Sequence, residues 1–279
     1  MEARPLDDVE AFLEQASPLL LEDEPRHNLI LGLASTIRDA PGLYPERQFW
    51  VVRKGSEVAA AALRTPPYNL VLARPRSEAA LDALVTVVGE ELPGVVAATP
   101  EVDAFAQRWS KRHGHSARVD HAMGIHVLEG VQPVPVPPGS VRDATRGDRA
   151  LLLDWWGAFG VEALAGEEQD DVRDACAVDH RLDAEHAGIV LWEDVAPVSF
   201  AAYGGPTPNG IRIGPVYTPP ALRGRGYATA LVAELSARLL TEGRRFCFLY
   251  TDLANPTSNA IYERIGYVRV CDSKQLAFV

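Results

Sequence analysis

Cysteine is scarce: Cys176, Cys247 and Cys271 are the only three in 279 residues. An odd number at such wide spacing supports neither a disulfide framework nor a zinc knuckle. No apolar run approaches the roughly 20 residues of a membrane-spanning helix. The stretch Met1–Pro5 is not a basic region leading into an apolar core, so no signal peptide is expected and a cytoplasmic protein is the simplest expectation. Basic residues are in deficit, with 27 Lys and Arg against 38 Asp and Glu and a net charge of -11. That balance disfavours nucleic acid and anionic membranes as partners, while it tolerates cationic small molecules or peptides. The densest histidine group, His113, His115, His121 and His126, has no cysteine nearby, and His121 and His126 are five apart. No metal site is expected from it.

What is present is an ordinary globular composition, 47% hydrophobic and 23% charged, which excludes disorder as the main state. The length suggests two domains at about 150 residues each. The clearest joint is Val131-Gln132-Pro133-Val134-Pro135-Val136-Pro137-Pro138-Gly139-Ser140, whose prolines favour an extended, stiff connector. The halves on either side carry -6 and -5, so neither is a basic tail.

Both halves show one pattern. In the first, Phe49–Arg53 and Val58–Leu63 read as strands around a Lys54-Gly55 turn. A strand over Asn69–Ala73, a helix over Glu78–Val88, a strand over Val95–Ala98 and a helix over Val102–Arg112 follow. In the second, strands over Gly188–Trp192, Val198–Tyr203 and Ile211–Thr218 precede a helix over Tyr227–Leu240. A strand over Phe246–Thr251, a short helix over Ser258–Arg264 and a last strand from Tyr267 complete it. The expectation is two copies of one α+β unit.

Chemistry concentrates in Val216-Tyr217-Thr218-Pro219-Pro220-Ala221-Leu222-Arg223-Gly224-Arg225-Gly226-Tyr227-Ala228. A strand ends there and a Gly-x-Gly loop opens a helix. Glycine lets backbone amides approach a ligand, and the first helical turn offers donors and a positive dipole end to an anion. Arg223 and Arg225 add charge-assisted donors, so the loop suits a diphosphate. The dinucleotide pattern fails because position 229 is threonine, and no Gly-Lys-Ser/Thr follows.

About thirty residues on stands Asn255-Pro256-Thr257-Ser258-Asn259-Ala260-Ile261-Tyr262-Glu263-Arg264-Ile265-Gly266-Tyr267. Together the two stretches resemble the GCN5-related N-acetyltransferase (GNAT) superfamily. Arg223 to Ala228 fit its Arg/Gln-x-x-Gly-x-Gly/Ala pyrophosphate loop, and Asn255 to Tyr267 fit its Asn…Tyr…Gly-Phe/Tyr motif. The front segment Asp23-Glu24-Pro25-Arg26-His27-Asn28 resembles that of bacterial two-part members, with residues expected to face a shared cleft.

The resemblance implies an α+β fold (α/β by some schemes), with a mixed central sheet flanked by helices in two tandem units. It divides the chain into a degenerate N-terminal unit over 1–130, the Pro-rich linker over 131–140, and a catalytic domain over 141–279. It implies acetyl-CoA as acyl donor and direct attack by a primary amine of a small molecule or peptide, in a monomer or homodimer. Backbone groups of Val216, Tyr217 and Thr218 would pair with the pantetheine arm. The amides around Gly224, Arg225, Gly226, Tyr227 and Ala228 would take the pyrophosphate, with Arg223 or Arg225 neutralising it. Asn255 would meet the pantetheine or order its turn, and Tyr262 would touch the cofactor and protonate the leaving thiolate. Tyr267 reads as core packing.

The sequence departs from the family at the base. Many members place a glutamate on the strand before the loop, whereas Ile211–Thr218 has no carboxylate. Glu162, Glu167, Glu168, Asp170, Asp252 and His180 remain as candidates. Glu167-Glu168-Gln169-Asp170-Asp171 reads as a solvated helix start or an acidic mouth for a cationic amine. The first half has Ala73-Arg74-Pro75-Arg76-Ser77-Glu78 where the loop would be, without a glycine. Two alternatives stay open: a non-catalytic acyl-CoA-binding module, and an enzyme using a longer acyl-CoA.

Overall fold

The element order is written twice. In the computed structural model, which describes residues 1–163 and 170–279, the chain runs β1 (Glu2–Leu6), α1 (Val9–Leu20), α2 (Asn28–Asp39), β2 (Gln48–Lys54), β3 (Glu57–Arg64) and β4 (Leu70–Leu72). It continues with α3 (Glu78–Val87), β5 (Gly94–Ala98), α4 (Glu101–His113) and β6 (Ala117–Leu128). The same series of strand, two helices, three strands, helix, strand, helix and strand then repeats. It comprises β7 (Ser140–Asp143), α5 (Arg149–Ala163), α6 (Asp171–Asp183), β8 (Gly188–Asp194), β9 (Ala196–Gly204), β10 (Gly210–Tyr217), α7 (Tyr227–Thr241), β11 (Phe246–Asp252), α8 (Pro256–Ile265) and β12 (Val268–Phe278).

Pairing repeats as well. β1–β2, β2–β3 and β3–β4 are antiparallel and β4–β5 is parallel. β7–β8, β8–β9 and β9–β10 are likewise antiparallel, and β10–β11 is parallel. This is a mixed α+β sheet in each of two GNAT-like units.

The compact units do not follow chain order throughout. Met1–His126, Tyr250–Pro256 and Arg269–Val279 form one; Val127–Leu249 and Thr257–Val268 form the other. The cause is β12, whose Ser273 to Ala277 pair antiparallel with Ala98 to Gly94 of β5. The last strand therefore completes the first unit's sheet.

In the first unit, period-two alternation sends Trp50, Val52, Leu70, Leu72, Val95 and Ala97 to the face covered by α3 and α4. Phe49, Val51, Leu63, Val71 and Val96 meet α1 and α2 on the other. In the second unit, Val190, Trp192, Ile211, Ile213, Cys247 and Leu249 pack against α7 and α8. Ile189, Leu191, Phe200, Ala202 and Tyr217 pack against α5 and α6. The proline-rich segment lies on the second unit: the indole of Trp192 donates to the Pro138 carbonyl at 2.9 Å, and Val131 and Val134 pack on the α7-side core. Prolines lack donors but keep acceptors, which is how the segment is held.

Candidate functional site

β10 and β11 pair over only three residues, Gly210↔Phe246, Ile211↔Cys247 and Arg212↔Phe248. The register against β9 is broken by an irregularity between Ile213 and Val216, after which Val216 and Tyr217 pair with Ala201 and Phe200. From Ile213 onward β10 thus pairs with β9 alone among the described residues.

After Tyr217 the chain makes a single turn over Pro220–Leu222 and an exposed loop over Arg223–Gly226. Gly224 and Gly226 have φ of 77° and 85°, in the left-handed region that favours glycine. A Cβ built on either would meet nothing within 4 Å, so space beside both backbones is open. Gly226 begins α7, and no side chain caps it. Uncapped first-turn amides, a dipole end and open space over two glycines fit a diphosphate.

The side chains around this loop are less free than its backbone. Arg223 donates through Nη2 to Glu162 Oε2 at 2.5 Å and through Nε to the Thr218 carbonyl at 2.9 Å. Glu162 also accepts from the Tyr217 hydroxyl at 3.2 Å, and burial followed by that carboxylate raises the Tyr217 pKa. Arg225 reaches the Ala221 carbonyl only at 3.4 Å. Tyr227 is buried with its hydroxyl on Asp194 at 2.8 Å, and that acceptor holds its pKa up. The Arg225 side chain, from the loop, acts on the same hydroxyl in the opposite sense. Thr218 shares a 2.9 Å hydrogen bond with Ser199, whose hydroxyl also donates to the Tyr217 carbonyl. Ala228 is half-buried in the first turn, and the half-buried Val216 packs on the α7-side core.

Tyr262 is half-buried on α8, edge-on to Tyr267 with ring centroids 5.9 Å apart. Burial pushes its hydroxyl up to about 12, which keeps the phenol protonated near neutrality. Its hydroxyl has no hydrogen-bond partner among the described residues, whereas that of Tyr267 shares a 2.9 Å bond with Ser236. Tyr267 is a core residue. Asn255 is exposed immediately before α8, in a turn where the amides of Ala254 and Asn255 bond to the Asp252 carboxylate and carbonyl.

Among the candidate bases, Asp170 caps α6 through the amide of Arg173, and Asp252 holds the turn just described. His180 is half-buried, and burial lowers its pKa. Glu162 lies beside the end of β10 but is engaged by Arg223 and Tyr217. Glu167 and Glu168 lie outside the described residues. Two charged residues on the neighbouring strands, Asp194 of β8 and Arg212 of β10, escape motif reading. A charged residue between Ile211 and Ile213, on the opposite face of β10, was the available signal for Arg212.

The corresponding connection of the first unit is built differently. The Arg74 amide donates to His27 Nε2 at 3.0 Å, Pro75 has no amide, and the Arg76 amide donates to the Ala59 carbonyl at 2.8 Å. Ser77 caps α3 through the amide of Ala80. His27 also bonds through Nδ1 to the Leu20 carbonyl at 2.9 Å, within the same unit. Among the described residues no helix is long and apolar enough to cross a membrane.

Residues 150–267 match the model of the acetyltransferase (GNAT) family. No curated protein matches in sequence. Among solved structures, a Drosophila protein aligns over 99% of this chain and 98% of its own, at TM-score 0.70 and 14% identity. A tandem GNAT protein from the clavulanic acid biosynthesis pathway aligns over 100% and 98%, at 0.61 and 16%. A GCN5-related N-acetyltransferase from Sphaerobacter thermophilus aligns over 99% and 95%, at 0.59 and 21%. These likenesses are of fold. Acyl transfer from acyl-CoA donors is general to the acetyltransferase (GNAT) family, whose model residues 150–267 of this chain match.

Proposed function

We propose that the second unit binds acetyl-CoA and transfers its acetyl group to a primary amine of a small molecule or peptide. The observation that carries this reading is the start of α7: two left-handed glycines with open space beside them and a helix terminus that no side chain caps. In this reading the amides of Gly224 to Ala228 hold the diphosphate. Arg225 adds charge, and Arg223 does so once released from Glu162. The edge of β10 from Ile213 to Thr218 is where the pantetheine arm pairs as a partial strand, and Asn255 orders the turn before α8. Residues 141–279 thus hold the reacting groups and residues 1–130 serve as scaffold, joined through 131–140.

The donor supplies a thioester carbonyl. A new N–C bond forms to the amine as the C–S bond breaks; Tyr262 gives its proton to the departing sulfur and recovers one from solvent, while the amine nitrogen releases one. A phenol with its pKa pushed to about 12 is protonated at pH 7, as a general acid must be. The lack of a carboxylate on β10 favours a second reading, an acyl-CoA-binding module without turnover.

Calorimetry with acetyl-CoA, combined with a thiol-release assay over amine acceptors, tests both. Binding with acceptor-dependent thiol release is expected. Binding without release leaves the second reading, and no binding of any CoA derivative removes both.

A further inference from the structure

Arg212 is the last residue of β10 to pair with β11, so its side chain stands where the two strands cease to pair. Its neighbours Ile211 and Ile213 enter the core beneath α7, which directs Arg212 to the opposite face with Phe200, Ala202 and Tyr217. There its Nη1 is buried without a hydrogen-bond partner, and no carboxylate of the described residues pairs with the guanidinium. Arg26 and Arg238 also bury an unpartnered nitrogen, but Glu101 and Asp143 respectively serve them as counter-ions. In a chain with 38 acidic residues, a half-buried guanidinium with no carboxylate partner among the described residues is an unmet demand.

The surroundings add charge of the same sign. Arg212 pairs across β9 with Gly204, and the Nε of Arg181 is 3.9 Å from the position a Cβ on Gly204 would take. Arg181 is fixed by the Ala177 carbonyl at 3.0 Å and by the Trp156 ring, over which its guanidinium carbon stands at 5.1 Å. Trp155 and Trp156 stack on Phe200 nearby. Two guanidinium groups beside an aromatic cluster repel a polyamine and attract an oxyanion.

We infer that Arg212 recognises a carboxylate on the acceptor, so that the amine substrate of this chain is an amino acid or a similar amino-carboxylate rather than a polycation. The inference rests on the acyltransfer reading above. The planar fork of Arg212 takes a carboxylate through two parallel N–H···O bonds, and low local polarity strengthens them. The site sits at the inner end of the β10 edge assigned to the donor. From the loop, the five residues Tyr217 back to Ile213 span about 17 Å at roughly 3.3 Å each.

The test compares amino acids with their amides and with the amines lacking the carboxylate, using acetyl-CoA and thiol release. Wild type is expected to favour the carboxylate forms by about 10- to 100-fold in kcat/KM, the worth of a hydrogen bond to a charged group. Arg212→Gln should abolish that preference through KM, and Arg212→Lys should restore part of it. Both variants should keep wild-type acetyl-CoA affinity and melting temperature, since Nη1 of Arg212 has no hydrogen-bond partner among the described residues to lose. A preference for polyamines or amides, no use of any amino-carboxylate, or a variant with unchanged KM overturns the inference while leaving acyl transfer intact. Failure of wild type to bind acetyl-CoA overturns both.

Discussion

The connection between β4 and α3 and that between β10 and α7 occupy the same place in the same order of elements, yet they use their backbones differently. In the first, Arg74, Arg76 and Ala80 direct their amides to His27, Ala59 and Ser77, and a proline removes another. In the second, Gly224 and Gly226 turn the chain through left-handed conformations, and α7 begins without a side-chain cap. The first solution satisfies the helix terminus from within, and the second leaves it without a side-chain cap. A fold that must bury sheet faces is indifferent to this choice, because both units pack their cores on both faces. The contrast teaches that the backbone groups of one connection can be redirected with no change in the architecture of the unit.

Substitutions that cross this divide sharpen or break the comparison. The largest expected effect is on turnover: Tyr262→Phe should lower kcat by about 100-fold, the scale of one general acid, with acetyl-CoA affinity unchanged. Because the Tyr262 pKa is pushed up to about 12, its proton should not be the cause of any alkaline fall in kcat below pH 10. By linkage, its preference for the neutral form stabilises the fold fully below pH 10, a contribution lost as pH rises towards 12.

Next in size, Gly226→Val should weaken acetyl-CoA binding by at least about tenfold. A branched residue in a left-handed conformation costs about 1–3 kcal/mol, and its bulk crowds the amides. Calorimetry reads the affinity and thermal melting the cost to the fold. Ser77→Ala, at the matching helix terminus of the first unit, should cost about 1 kcal/mol in denaturant unfolding and leave acetyl-CoA affinity unchanged.

Smallest is Glu162→Gln. It frees an Arg223 that is about half exposed, so the gain is of surface ion-pair size. Binding of acetyl-CoA should tighten by a few-fold at low salt, and the gain should fade as salt rises.

Much of this was legible from residues alone. The strands over Phe49–Arg53, Val58–Leu63 and Val198–Tyr203 and the helix starting at Tyr227 were visible because local periodicity reports burial. The glycines of the loop were visible because only glycine adopts those conformations without strain. The partner of β12 was not, since nothing in Val268–Phe278 states that it pairs with β5, some 175 residues earlier. Nor was the engagement of Glu162 by Arg223 and Tyr217, which joins α5 to β10 and depends on tertiary packing. The prolines of 131–140 read as a spacer because missing donors are apparent in a sequence, whereas the acceptor role of Pro138 appears only beside Trp192.

The central claim is that one unit of the two holds the acyl donor, and binding stoichiometry tests it most directly. Titration of the intact chain with acetyl-CoA in a calorimeter should give one site per chain, and Gly226→Val should remove or greatly weaken that site. Two sites per chain, or one that survives Gly226→Val at full affinity, would contradict the account.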